Sequence, residues 1–469
     1  MIADLSLLQW LALAERELIL FAGFFFLLGA LDELAMDALW AAMGLAGKTR
    51  SRRICRAEFE QRELLGPAAV LIPAWREERV IGATIGHALA VWPQRQLRLY
   101  VGCYRNDRQT IEAVVAAAAG DNRLRLVIHD RIGPTTKADC LNRLYAALAE
   151  DERRTGTRSR LVLLQDAEDM VDPAALALLD QALDDADFVQ LPVLPAPQPR
   201  SRWIGSHYCE EFAEAHGKNM VVRDALGVEM PAAGVGCAFA RDLLERIAVQ
   251  RGQDGPFSVE ALTEDYELGL RVAHVGGRPR FLRARGEDRR LVATRAYFPD
   301  RLDAAVRQKA RWVHGIALQG WDRLGWSGNL MACWMRLRDR RGPFNALVLV
   351  IGYALLVLNA GLLAVHGLGL ARPWVEDPLV AALLWANFAS IVWRAGMRFA
   401  FTAREYGVAE GARAILRIPV ANVISIMAGR RALAAYLRTL GGAAARWEKT
   451  DHHAHPARPG LRLAAGQAL

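Results

Sequence analysis

The densest chemistry in this chain is acidic. QDAEDM (165–170) follows directly on an apolar run, and Asp166, Glu168 and Asp169 there could hold a hard divalent cation through oxygen ligands. Such a cation can bridge the diphosphate of a sugar nucleotide. The same acids would also suit a helix start ahead of Pro173. TTKADCLN (135–142) offers an N-capping Thr followed by Lys137 in the first helical turn. A cation there is unfavourable to the helix dipole unless an anion sits beside it, so Lys137 reads either as a phosphate contact or as a solvated surface charge. LTEDYELGLR (262–271) places Glu264 and Asp265 at the start of an amphipathic helix. A carboxylate at such a place can act as general base for an acceptor hydroxyl, while Thr263 followed by Tyr266 and Glu267 is close to a capping box. RQKARW (307–312) sets Gln308, Arg311 and Trp312 on neighbouring helical faces. An aromatic plane binds a pyranose ring and a guanidinium clamps phosphate oxygens, although Trp is also common where a chain meets a membrane.

These side chains need elements to position them. From about Leu64 to Asp300 short β-branched or leucine-rich runs alternate with Ala-rich helical stretches. Residues 68–74, 97–103, 123–129, 160–166 and 187–193 read as strands, with helices such as 78–91 and 137–150 between them, which predicts an α/β domain with a largely parallel sheet. Ligands of such sheets bind beyond the carboxyl ends of the strands, where the polar motifs fall. No Gly-x-Gly-x-x-Gly follows the first strand, so a dinucleotide oxidoreductase lacks support.

The first apolar run, about Leu18 to Leu31 and on toward Leu45, is followed by Lys48, Arg50, Arg52, Arg53 and Arg56. That flank belongs on the cytoplasmic side. Asp4, Glu15 and Glu17 precede the run, unlike the basic start of a signal peptide, so a retained anchor is expected. With Asp32, Glu33 and Asp37 in or just beyond it, either the hydrocarbon span ends near Leu31 or the acids face a neighbouring helix, and the second is expected for at least one of them. After RLRDRRG (336–342) come apolar stretches at about 344–370 and 379–397, then Arg394, Arg398, Arg404 and Arg413. Residues 414–428, with Arg417, Pro419 and Asn422, read as an interfacial or re-entrant helix. Three spans with an external N-terminus are expected, four being the alternative, and the tail after Pro456 is expected to be disordered. The net charge of +8 comes mostly from Arg beside apolar stretches, not from a basic tract interleaved with aromatics, so no nucleic-acid partner is expected. Six scattered cysteines without a Cys-x-x-Cys pair point to a reduced cytosolic body.

The motifs run in order: Pro-Ala-Trp-x-Glu (73–77), Lys-Ala-x-x-Leu-Asn (137–142), Asp-Ala-Glu-Asp (166–169), Thr-Glu-Asp (263–265), Gln-x-x-Arg-Trp (308–312), then apolar spans. Together they resemble the family 2 inverting glycosyltransferases of GT-A fold, in the subgroup of cellulose and hyaluronan synthases, over about Val70 to Trp312. EEFAEAHGK (210–218), AAGVGCAFAR (232–241), residues 297–321 and the terminal RWEKTDHHA (446–454) add a closer likeness to inner-membrane glycosyltransferases of phage-receptor systems.

The resemblance implies a GT-A domain over 63–335, between an anchor and linker (1–62) and a membrane region (336–437), with a cytoplasmic tail (438–469). It implies that Pro73, Ala74, Trp75 and Glu77 line a nucleotide pocket and that Lys137 and Asp166 contact the nucleotide or its phosphates. Asp166, Glu168 and Asp169 would hold Mg2+ or Mn2+, Asp265 with Glu264 beside it would supply the base, and Gln308, Arg311 and Trp312 would hold diphosphate and acceptor. Two departures stand out: Asp166-x-Glu168 replaces the usual Asp-x-Asp, and Asp107 in GCYRND (102–107) only loosely substitutes for the acid that reads the base.

The implied activity is metal-dependent transfer from a UDP-sugar, an N-acetylhexosamine donor such as UDP-ManNAc or UDP-GlcNAc, to a glycan or lipid-linked acceptor. The product would be a surface or secreted polysaccharide, made at the cytoplasmic face of a bacterial inner membrane in contact with lipid. The competing expectation is a non-catalytic membrane receptor or assembly component that keeps the fold. Three or four spans are too few to enclose a hydrated glycan, so export is expected to need self-association or a partner export protein, with Asp32, Glu33 and Asp37 as contacts. Relatives of this kind continue into a cyclic-di-GMP-binding domain after the terminal motif, so that control is expected to be absent or supplied by another protein.

Overall fold

Residues 7–49, 51–327, 329–368, 377–442 and 454–457 are described by a computed structural model. Along them run the strands Arg52–Arg53 (β1), Ala68–Pro73 (β2), Leu97–Tyr104 (β3), Leu124–His129 (β4), Leu161–Leu164 (β5), Phe188–Gln190 (β6), Cys237–Ala240 (β7), Pro279–Phe281 (β8) and Ala284–Arg285 (β9). Seven of them form one sheet in the order β4-β3-β2-β5-β7-β6-β8, and β1 pairs with β9 apart from it.

β2 shows why the sequence folds this way. AAVLIP has no polar side chain, and successive residues of a strand point to opposite faces, so both faces of the sheet need cover. Ala68, Val70 and Ile72 join Ile81, Ile85 and Leu179 in one core cluster. Ala69 and Leu71 join Leu141, Leu144, Leu243 and Leu268 in the other. The helices Ile81–Val91 and Ala175–Ala182 therefore cover one face, and Lys137–Thr155, Arg241–Arg251 and Glu264–His274 the other.

The five expected strands are present, and most pairings are parallel. β7 was not anticipated. It runs antiparallel between β5 and β6 and pairs Cys237 with Leu164. That reversal sets the loop before β7 beside the acidic turn after β5, and the site forms along this edge.

Among the described residues three helices are long and apolar enough to cross a membrane: Gln9–Leu45, Gly342–Val365 and Pro378–Tyr406. Val408–Leu416 and Ile418–Leu440, bent by 53°, add a fourth if they make one broken span, and otherwise form a re-entrant loop. Small residues let these helices approach, as is common in lipid: a Cβ on Gly23 would lie 2.6 Å from Leu383 Cδ2, and one on Gly429 2.5 Å from Ala346 Cβ. Ile418–Leu440 also packs on the body of the protein, with Ile424 against Tyr208, Ala305 and Val306.

The first helix, Leu7–Leu45, has 39 residues. At about 1.5 Å per residue it outruns a hydrocarbon core of about 30 Å. Its C-terminal part carries the three acids, which do face neighbours. Arg338 and Arg394 lie 2.9 and 3.2 Å from Glu33, Trp334 Nε1 donates to Asp32 at 2.6 Å, and the fully buried Lys218 ammonium lies 2.6 Å from Asp37 and 2.7 Å from Glu214. These partners belong to the same chain. The acids are thus satisfied within the chain and tie the first helix to the α/β body. Arg338 and Arg394, counted above as membrane-flanking charges, are likewise engaged in ion pairs. The tail expectation falls, from residue 458 on, outside the described residues.

Candidate active site

A cavity of about 450 Å³ opens at the carboxyl ends of β2 and β5 and is lined by every expected site residue except Asp107. β2 ends at Pro73, and the chain turns through Ala74 and Trp75 into Arg76, a non-glycine residue at φ 54°. Asp107 holds that turn. Its Oδ2 accepts from the Arg76 amide at 2.5 Å, while its Oδ1 caps the helix Arg108–Ala118 through Thr110 N at 3.4 Å. It positions Trp75 and does not itself face the cavity. Trp75 meets Tyr104 edge-on at 5.3 Å, Tyr104 stacks on His129 at 4.9 Å, and the Glu77 amide donates to Thr110 Oγ1 at 2.9 Å.

Thr136 caps the helix Lys137–Thr155 as expected, accepting from Asp139 N at 3.2 Å. Lys137 is no solvated surface charge, since its Nζ lies 2.5 Å from Asp166 Oδ1 and 3.9 Å from Glu264. Burial alone would lower its pKa, but Asp166, Glu264 and Asp265 hold the ammonium above its ordinary value. Asp169 turns its carboxylate back to accept from the Asp166 amide at 2.7 Å. Burial, and then the charges of Asp166 and Glu168, push Asp169 well above the usual carboxylate range. It closes the acidic turn. The following helix start is served instead by Asp172, which accepts from Ala174 N at 3.1 Å. Among the described residues no three His, Cys, Asp or Glu side chains gather to hold a metal ion. Of the three expected acids, Asp169 is the one whose carboxylate is engaged in closing the turn, so Asp166 and Glu168 are the pair carried into the proposal below. Two carboxylates at an open cavity still fit a cation that draws its other ligands from phosphate and water, as Mg2+ commonly does.

Glu264 and Asp265 open the helix Glu264–His274 behind Thr263. The Thr263 side chain makes no cap hydrogen bond, so the capping-box alternative drops out. Asp265 Oδ1 accepts from Tyr266 N at 2.8 Å. Glycines let neighbours crowd this corner: a Cβ on Gly234, at φ 75°, would lie 2.5 Å from Asp265 Oδ2, and one on Gly315 would lie 2.5 Å from Thr263 Oγ1. Gln319 locks the preceding loop, accepting from Leu262 N at 2.9 Å and donating to Glu260 O at 2.8 Å. Burial raises Asp265 against the lowering influence of Lys137. Burial together with the Asp265 charge raises Glu264 to about 7. Carboxyls displaced toward neutrality in a cleft are suited to proton transfer.

Gln308, Arg311 and Trp312 lie on the helix Leu302–Trp312, which continues as the π-helix Val313–Gln319. Such turns are frequent at functional sites. Trp312 packs edge-on to Tyr208 at 6.0 Å and to Phe298 at 6.4 Å, giving the cavity an aromatic wall. Gln308 Oε1 is buried with no hydrogen-bond partner among the described residues. A second π-helix, Ala215–Asn219, brings His216 to the cavity, its Nδ1 2.9 Å from the Val193 amide. Burial lowers His216 to about 4, so its ring is neutral. Neither His216 nor Gly234 had a role from sequence. The signal for the second was the Gly-Val-Gly spacing just ahead of a short strand.

A family model described as Glycosyltransferase like family 2 matches residues 66–315. Bacteriophage adsorption protein B of Escherichia coli K12 and bacteriophage N4 adsorption protein B of Escherichia coli O157:H7 are each 31% identical over 456 residues, covering 91% of this chain and 60% of theirs. The chain thus spans 60% of the length of these curated relatives. A mannosyltransferase from Pyrobaculum calidifontis, solved in complex with GDP-Man and Mn2+, aligns over 89% of this chain and 99% of its own with TM-score 0.51 and 17% identity, which shows a shared fold. The family match spans more than half of the chain and includes every expected site residue that lines the cavity, and the chain belongs to glycosyltransferase-like family 2, with the GT-A fold.

Proposed function

We propose that the chain is a membrane-bound, inverting, metal-assisted glycosyltransferase that moves a sugar from a UDP-sugar to a growing surface or secreted polysaccharide at the cytoplasmic face of a bacterial inner membrane. The observation that carries this is the meeting of Lys137, Asp166 and Asp265 with Arg311 and Trp312 in one cavity. Trp75 and Tyr104 take the base, and Lys137 meets a phosphate. Asp265 takes the proton of an acceptor hydroxyl, whose oxygen attacks the anomeric carbon as the bond to the diphosphate breaks on the opposite side. Configuration inverts. Lys137 and Arg311 stabilise charge on the departing diphosphate. A bound Mg2+ or Mn2+, held by Asp166 and Glu168, would neutralise the diphosphate and improve it as a leaving group. One carboxylate base suffices because the leaving group needs a cation and no proton. Trp312 offers the acceptor sugar an apolar face. An N-acetylhexosamine donor, UDP-ManNAc or UDP-GlcNAc, is the first choice for the panel below.

A second reading, a non-catalytic receptor or assembly component, draws on the relatives' names as phage adsorption proteins. Membranes holding the protein, given a panel of UDP-sugars with Mn2+ and then with EDTA, separate the two. Release of UDP with incorporation of one sugar, stopped by the chelator, is expected. No release from any donor would leave the receptor reading standing.

A further inference from the structure

The terminal motif RWEKTDHHA has no part in the mechanism above, yet the residues just after it lie against the acidic turn. His455 is wholly buried. Its Nε2 stands 3.2 Å from the backbone carbonyl oxygen of Asp169, and its Nδ1 accepts from the Ala457 amide at 3.0 Å. An amide N–H can only donate, so Nδ1 carries no proton, and the ring N–H must be on Nε2, directed at the Asp169 carbonyl. The backbone of the tail therefore selects the tautomer that holds the turn.

Asp169 is the residue through which that turn is closed. Its carboxylate accepts from Asp166 N at 2.7 Å, and the next residue, Met170, is tied to Arg295 by two backbone hydrogen bonds of 2.7 and 2.9 Å. At the other end Gln165 N donates to Leu71 O at 3.2 Å. We propose that His455 is a positioning residue of the donor site: by holding the Asp169 peptide it sets the acidic turn so that Asp166 and Glu168 present their carboxylates to a diphosphate-bound divalent cation. The inference rests on the reading of this cavity as a nucleotide-sugar site. His455 touches neither donor nor acceptor in that reading, so its loss acts on metal and donor binding and leaves the acceptor alone. Removing the ring also leaves a buried carbonyl without its donor.

The test uses the full chain, purified in detergent, with His455→Ala, His455→Gln and His455→Asn. A Gln amide can place an N–H near the position of Nε2, whereas the shorter Asn amide reaches only toward that of Nδ1. Binding of Mn2+ in the presence of UDP is read from the paramagnetic resonance signal of the free ion, and donor KM, acceptor KM and kcat are measured alongside. Residues that orient metal ligands typically contribute tenfold or more to affinity, so His455→Ala and His455→Asn should weaken Mn2+ binding and raise donor KM on the order of tenfold. His455→Gln should stay within about threefold of the parent, and acceptor KM should not move in any variant. Unchanged Mn2+ binding in His455→Asn overturns the proposal, and so does equal impairment of the Gln and Asn variants, which would reduce His455 to filling space. If His455→Ala fails to accumulate, the Gln and Asn pair decides. A parent that binds neither Mn2+ nor UDP sinks the functional reading itself. A parent that binds both, with variants like it, sinks only the role of His455.

Discussion

Gly234→Ala is the sharpest probe of the corner that holds Asp265. The backbone there has φ 75°, a left-handed conformation costing an alanine about 1–2 kcal/mol. The new Cβ would also stand 2.5 Å from Asp265 Oδ2. An ordinary carbon–oxygen contact is about 3.3 Å, so the two must part by about 0.8 Å. The carboxylate is the part free to move, and a displacement near 1 Å at a reacting group costs on the order of 100-fold in rate. Gly227→Ala is the matched control, because Gly227 has φ 63° and nothing within 4 Å of its added Cβ. Both variants bear the backbone cost; only one meets Asp265. The assay is UDP release at saturating donor, with donor KM and the thermal midpoint measured beside it. Gly234→Ala should lose kcat on the order of 100-fold with donor KM within a few-fold, and Gly227→Ala should keep it. Equal kcat in Gly234→Ala and the parent, or equal loss in the two variants, would refute the placement of Asp265 as the reacting base.

Two further outcomes follow from buried charge. Glu264 is raised by burial and by Asp265 to about 7, above an unfolded value of about 4.3, so the stability its neutral form contributes is full below that value and lost as pH rises through 7. Glu264→Gln should therefore flatten the dependence of the thermal midpoint on pH between about pH 5 and 8, and a parent curve already flat there would contradict the shift. Lys218→Met leaves Asp37 buried without the cation it pairs with, while Glu214 keeps Arg394 at 2.8 Å; the loss should cost about 3–5 kcal/mol and lower the unfolding midpoint in detergent, and an unmoved midpoint would show that the ion cluster does not hold the anchor helix to the body.

The sheet was legible because its central strands are buried on both faces and so appear as continuous apolar runs such as AAVLIP and LRLYVGCY. CAFA and PRF escaped notice because CAFA sits in a Gly- and Ala-rich stretch and PRF among arginines, whereas β5 and β6, which are no longer, lie within the strand-forming runs RLVLLQD and DFVQLPV. That omission mattered: the antiparallel course of CAFA is what carries Gly234 to Asp265, so the motifs could be recognised singly while their meeting could not. Residue type suggested Asp169 as a metal ligand, but spacing cannot reveal which of three neighbouring acids turns back to close its own loop. At least one acid of the first helix was expected to face protein, since charge in an apolar segment demands a partner, and all three do. Their partners, Lys218, Arg338 and Arg394, lie far along the chain and only the fold identifies them.

The central claim is that sugar transfer occurs in this cavity with Asp265 as base, and Asp265→Asn tests it most directly. The isosteric change keeps the hydrogen-bond acceptor toward Tyr266 N and removes the capacity to take a proton. With the sugar nucleotide that the parent uses, UDP release by Asp265→Asn should fall by about 100- to 10,000-fold, while UDP binding, followed by equilibrium dialysis, stays within a few-fold of the parent. Release at the parental rate would contradict the account.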